Sequence, residues 1–317
     1  MAALELLIVG AATSAAASLT ERRARARERR AERDFPATGR IVSLGGLRVH
    51  AHTEGAGPDL VLLHGASGNT RDFTFRLMGM LADRYRVTAF YRPGLGWSDP
   101  VAGAADPAVQ ARHLQAAAAR LGLIRPLVLG QSYGGAVALA WGLSALEATA
   151  GLILVSGASN PWPGTLGPWY RLAETRLGRH AVIPLLTAFA PERRVVSTIE
   201  EIFAPDPVPP GYTAHIGAPL SLRRRTLREN AAQVNGLLPH VTQMARLYPG
   251  LAMPVEILHG TADTVVPLDI HSEPLARQIP GAVLTRLEGA GHMPHHSQAG
   301  AVVAAIDRAA ARAGLRG

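Results

Sequence analysis

Short apolar runs punctuate the chain, beginning at Leu60, Val87, Leu127, Leu152, Val255 and Val283. Runs of this length closed by Gly, Pro or Asp predict buried strands. Residues 41–44 and 47–53, around Gly45-Gly46, predict an opening hairpin. Between the strands, helical stretches start from Arg71, Pro107, Ser132 and Leu268, with a last one over 299–313. Strands alternating with helices predict an α/β fold, a doubly wound and mostly parallel sheet whose site lies at the strand carboxyl ends. At 317 residues the chain is long enough for one sizeable core plus an insertion.

The chemistry gathers at those strand ends. Gly130-Gln131-Ser132-Tyr133-Gly134 stands between the run at 126–129 and the helix that follows. A Gly-x-Ser-x-Gly in that setting is a nucleophile elbow, a strained turn that lifts Oγ clear of the sheet at a helix N-terminus. A serine needs a base, and the base an orienting acid. Asp263 follows the strand at 255–258, and His292 follows the strand at 282–287 after the small residues Ala290-Gly291. The expected triad is Ser132, Asp263 and His292 in that chain order. For the oxyanion hole, His64-Gly65-Ala66-Ser67 ends another buried strand, and the expected donors are the backbone N–H groups of Ala66 and Tyr133. His64 itself is expected to tie down the loop rather than serve as a second base.

On these residues the chain resembles capped α/β-hydrolases over residues 40–314. The segment Tyr91-Arg92-Pro93-Gly94-Leu95-Gly96-Trp97-Ser98 is similar to that family's Asp-Arg-Pro-Gly-x-Gly-x-Ser, with Tyr91 standing where aspartate is usual. The segment is expected to be architectural, with Arg92 in a structural ion pair. Haloalkane dehalogenases and epoxide hydrolases share the loops but use aspartate at the elbow, so Ser132 argues against both. The resemblance implies a helical cap inserted between strands 6 and 7. About a hundred residues separate those strands, far too many for a simple crossover. The organisation is therefore 1–38 as an N-terminal extension, 39–156 and 253–317 as core, and 157–252 as cap. Trp162, Trp169, Tyr170 and Phe189 in the cap, with Ser67, are candidate substrate contacts. Helices are expected over 171–187, 192–203 and 220–248, around a proline-rich linker at 204–211. Arg223-Arg224-Arg225 is expected to be a solvated helix face.

Residues 1–19 are almost wholly apolar, and residues 21–33 hold seven arginines and three glutamates, half of the chain's net charge of +8. Three readings compete: a span, which is marginal at this length; a cleaved signal, which would carry its charge first; and a helix lying on anionic lipid or packing on the protein. The expectation is a membrane surface contact through residues 1–33 with the enzyme on the cytoplasmic side, a soluble cytoplasmic protein being the alternative. All 32 basic residues are arginine, a bias of coding composition, and no basic stripe interleaved with aromatics points to nucleic acid. There is no cysteine, which excludes disulfides and thiolate metal sites. His292, His295 and His296 cluster, but no ligand set at metal spacing accompanies them in sequence. No metal and no cofactor are expected, and His295 and His296 are read as exposed or supporting.

The resulting expectation is a serine hydrolase acting on carboxylic esters of small to medium apolar acids through an acyl-enzyme. Carbon–carbon hydrolysis, lactonase, amidase or acyl-transfer chemistry use the same groups and stay open. So does a ligand-binding protein that keeps the pocket without turnover.

Overall fold

The structure, a computed structural model, describes residues 2–164 and 167–315, with the side chains of 2–4 and 6–12 left out. Met1 of the apolar segment, and Thr165 and Leu166 of the cap entrance, lie outside the described residues. Eight strands form one sheet: β1 (Arg40–Leu44), β2 (Leu47–Glu54), β3 (Asp59–Leu63), β4 (Arg86–Phe90), β5 (Leu127–Gln131), β6 (Gly151–Val155), β7 (Val255–Gly260) and β8 (Val283–Leu287). Their spatial order is β1-β2-β4-β3-β5-β6-β7-β8. The hairpin strands pair antiparallel and β2 meets β4 antiparallel; every other pairing is parallel.

The apolar runs are continuous because both sheet faces are covered. Successive side chains point to opposite faces, so each run feeds two cores. Val61, Leu63, Val128, Leu152 and Leu154 pack under helices Pro107–Arg120 and Tyr133–Ser144. Leu60, Leu62, Leu127, Leu129, Ile153 and Val155 pack against Phe73, Leu77 and helix Ala299–Arg312.

Between β6 and β7 the chain forms helices Pro168–Glu174, Ile183–Phe189, Glu192–Phe203 and Arg224–Met244. The helix expected over 171–187 is interrupted after Glu174 and resumes through the π-turn Gly178–Val182. A Cβ on Gly178 would stand 1.8 Å from Leu172 O, so only glycine allows that crossing. The expected helix at Arg71 lasts one turn, Arg71–Thr74, and the one expected from Leu268 begins at Ser272. The proline-rich segment is not a free linker. Asp206 Oδ2 accepts the Gly291 N–H (2.8 Å), seating the segment on the loop that carries His292.

The largest departure from expectation is at the N-terminus. Ala2–Asp34 is one helix, and its arginine-rich half docks on the cap. Ala24 and Ala31 are buried. Arg23 and Arg27 donate to the carbonyls of Ala188 and Ala190 (2.9 and 3.0 Å). Glu28 and Glu21 both pair with Arg224 (2.6 and 2.5 Å), and Glu32 pairs with Arg223 (2.8 Å). The glutamates of this helix are thus spent on the cap while Arg22, Arg25, Arg29, Arg30 and Arg33 stay exposed, and the Arg223-Arg224-Arg225 run is an intramolecular seam instead of a solvated face; Arg223 is 5% exposed. Residues 13–19 remain exposed. Among the described residues no helix is long and apolar enough to cross a membrane.

Candidate active site

β5 runs straight into the elbow, and Ser132 takes φ 53°, ψ −122°. A non-glycine residue held there stores roughly 1–3 kcal/mol of strain. Its neighbours force the turn. The Ser132 N–H donates to Val155 O (3.0 Å), and its carbonyl accepts from Ala158 N (3.0 Å). A Cβ on Gly130 would lie 2.2 Å from Gly134 O, and one on Gly134 2.1 Å from Leu63 O. The flanking glycines are therefore what lets helix Tyr133–Ser144 start against the sheet.

Asp263 lies just past β7. Its Oδ1 accepts the N–H groups of Val265 and Val266 (2.8 and 3.0 Å). Its Oδ2 meets His292 Nδ1 at 2.8 Å and His259 Nε2 at 3.2 Å. Burial would raise the carboxyl pKa, but the hydrogen bonds from His259 and His292 outweigh it and hold it well below the usual range. With Nδ1–H on the aspartate, His292 presents Nε2 as an acceptor. That atom lies 3.4 Å from Gln131 Nε2, and Gln131 also donates to His292 O (3.3 Å). Asp263 and His292 are thus brought together. In this conformation the Ser132 hydroxyl closes no hydrogen bond with the imidazole, a contact that in such sites tightens when substrate arrives.

The His-Gly loop backs the serine: a Cβ on Gly65 would stand 3.0 Å from Ser132 Cβ and 3.4 Å from its Oγ. Gly65 O accepts from His64 Nδ1 (2.9 Å) and Arg92 Nη2 (3.0 Å). Across a trans peptide that turns the Ala66 N–H the opposite way. His64 Nε2 accepts from Arg92 N (3.2 Å), and burial pushes its pKa down to about 3. It is a neutral tie for the loop. Arg92 departs from the expected ion pair. Fully buried, it donates to neutral acceptors: His64 O, Gly65 O, Gln110 Oε1 and Gln233 Oε1. Its guanidinium lies 4.3 Å above the Tyr133 ring.

The cap residues divide. Ser67 is exposed, its N–H taken by Asn230 Oδ1 (2.6 Å) and its carbonyl by Ser221 Oγ (2.7 Å), so it links loop to cap. Trp162 packs over His271, and its buried Nε1–H has no acceptor among the described residues. Trp169 and Tyr170 pack on Ala173, Ile183 and Leu227 within the cap. Phe189 is 43% exposed with Arg23 over its ring, on the side facing the N-terminal helix. His295 and His296 are buried rather than exposed, both bound to Asp72. Among the described residues these three are the one His/Asp group close enough to share a cation. Their N···O separations of 2.8–2.9 Å are hydrogen-bond lengths, and neither ring's other nitrogen is anchored, as a metal-bound histidine's normally is.

Sequence reasoning passed over His259, although it precedes Asp263 by four residues, near the end of β7. It also passed over Gln131, beside the serine, and over Asp72, which no local pattern connects with residues more than 220 positions away.

A parallel sheet with a strained serine at one strand end and an Asp–His pair at two others defines a hydrolase class. The chain belongs to the alpha/beta hydrolase family, whose model matches residues 60–306. It is 32% identical to polyketide synthase ThaQ of Burkholderia thailandensis over 264 residues, which is 80% of this chain but only 12% of that much longer protein. It is 28% identical to the 2-hydroxymuconate semialdehyde hydrolase of a Pseudomonas species, covering 75% of this chain and 82% of that one. Among solved structures, esterase RhEst1 of a Rhodococcus species superposes with a TM-score of 0.67 at 25% identity, over 86% of this chain and 98% of its own.

Proposed function

We propose that the protein is a serine esterase acting on carboxylic esters of small to medium apolar acids. The observation that carries this is the Asp263–His292 hydrogen bond (2.8 Å) on loops that end at the same sheet edge as the Ser132 elbow. In this reading His292 Nε2 takes the Ser132 proton as Oγ attacks the ester carbonyl. Asp263 fixes the tautomer and stabilises the imidazolium, while the Ala66 and Tyr133 N–H groups receive the oxyanion. The alkoxide leaves with the proton returned by His292, and water, deprotonated by the same ring, releases the acid. Trp162, whose indole N–H lacks an acceptor among the described residues, is the cap residue proposed to meet the substrate.

The test is hydrolysis of p-nitrophenyl esters from acetyl to palmitoyl beside Ser132→Ala. Turnover that vanishes in the variant, with its circular dichroism unchanged, supports the reading; turnover that survives sinks it. The likeness to the 2-hydroxymuconate semialdehyde hydrolase favours carbon–carbon hydrolysis as the second reading. A folded enzyme inert on every ester but active on a ring-cleavage diketone would select it.

A further inference from the structure

Behind the candidate base, four buried side chains from three distant segments meet. Asp72, on the turn just past the His-Gly loop, accepts His295 Nε2–H at Oδ2 (2.9 Å) and His296 Nε2–H at Oδ1 (2.8 Å). The Tyr212 hydroxyl donates to the same Oδ1 (2.7 Å). None of the four residues is more than 4% exposed. His295 and His296 follow His292 by three and four residues, Tyr212 belongs to the cap, and Asp72 belongs to the segment that supplies one candidate oxyanion donor, Ala66. Among the described residues the two Nδ1 atoms have no partner, and Asp72 is the polar tie of each ring. Phe73, Phe75 and Phe203 pack around the imidazoles.

We propose that Asp72 is a positioning residue for His292, holding the His292–His296 loop and the cap at Tyr212 in one register against the oxyanion loop. This rests on the reading of His292 as the base. Burial would favour the neutral acid at Asp72, but the two imidazoles outweigh it and keep the carboxyl far below its usual range. The other ionisable groups around it are Arg71, next in sequence, and His64 and His215, which both feel the Asp72 charge. A bound cation is the competing account of the same three side chains.

The experiment compares wild type with Asp72→Asn, which keeps the shape and removes the charge. Readouts are kcat and KM on a p-nitrophenyl ester and the fluorophosphonate labelling rate per folded molecule. The expected result is kcat down about 10–100-fold with KM changed less than about threefold, since misplacing a base by a fraction of an ångström acts on the transition state. A second pair guards against misfolding of that variant. His296→Gln keeps an N–H donor where Nε2 stood and should label within about threefold of wild type, whereas His296→Leu should fall about tenfold or more. Unchanged kcat in Asp72→Asn, a fall in kcat matched by an equal change in KM, or equal labelling of the His296 pair overturns the positioning role while wild-type labelling keeps the hydrolase reading. A wild type that resists the fluorophosphonate removes both. Stoichiometric zinc in purified wild type, lost in Asp72→Asn, replaces the knot with a metal centre.

Discussion

Acidification from pH 7 to pH 5 should remove several kcal/mol of the protein's stability, and three buried histidines account for it. His50 and His64 are fully buried and His271 is 4% exposed. Each uses a ring nitrogen to accept a backbone N–H: Gly39 on His50, Arg92 on His64, and Ser159 with Asn160 on His271. Protonation would break those bonds and bury a charge, and desolvation lowers the three pKa values from 6.5 to about 4, 3 and 4. Below 6.5 the unfolded chain takes up three protons that the folded chain refuses, so stability falls as pH falls toward about 4. At pH 5 each histidine removes about 2 kcal/mol relative to pH 8, roughly 6 kcal/mol together, against a typical total of about 5–15 kcal/mol. Asp72 and Asp263 act in a different window. Their folded pKa values are depressed, so their contribution is complete above about pH 4 and is lost only below it. Urea unfolding followed by tryptophan fluorescence at pH 5, 6, 7 and 8 measures the slope. A free energy that changes by less than about 1 kcal/mol between pH 7 and 5 would refute the assignment. His271→Asn, which keeps an acceptor but cannot titrate, should remove about a third of the drop.

Three further outcomes follow from the site and its scaffold. Asp263→Asn places an amide NH₂ against donors whichever way it turns, because both carboxylate oxygens are occupied by N–H groups; kcat should fall about 10³–10⁴-fold in ester assays. Gly134→Ala, with its Cβ 2.1 Å from Leu63 O, should cost about 3 kcal/mol or more in thermal unfolding, and a wild-type Tm would disprove the close approach. Glu28→Ala leaves part-buried Arg224 with only Glu21; amide exchange over 21–34 should rise while β3 and β5 stay protected.

The local parts of this molecule were legible in its sequence. Past the opening hairpin most strands are short apolar runs, and Ser132, Asp263 and His292 each follow a strand, so strand ends and site loops could be read together. The relations that failed to show were between distant segments. Glu28 and Arg224 are 196 residues apart, and a run of arginine reads the same whether it faces water, lipid or another helix. Arg92 was expected to find a carboxylate, yet side-chain amides and carbonyls from three segments surround it. Asp72 drew no notice in the sequence because its histidines arrive from the far end of the chain. Phe189 was an aromatic in a cap, and only the docked helix shows which side of the cap it faces.

The N-terminal helix is also a lever. Glu21, Glu28 and Glu32 grip the cap through Arg223 and Arg224, while residues 2–20 extend beyond that seam for about 28 Å at 1.5 Å per residue. The cap that it grips rests on the candidate oxyanion loop through Asn230–Ser67 and on the His292 loop through Asp206–Gly291. A displacement of the N-terminal helix is thereby coupled to both candidate site loops through one inserted layer.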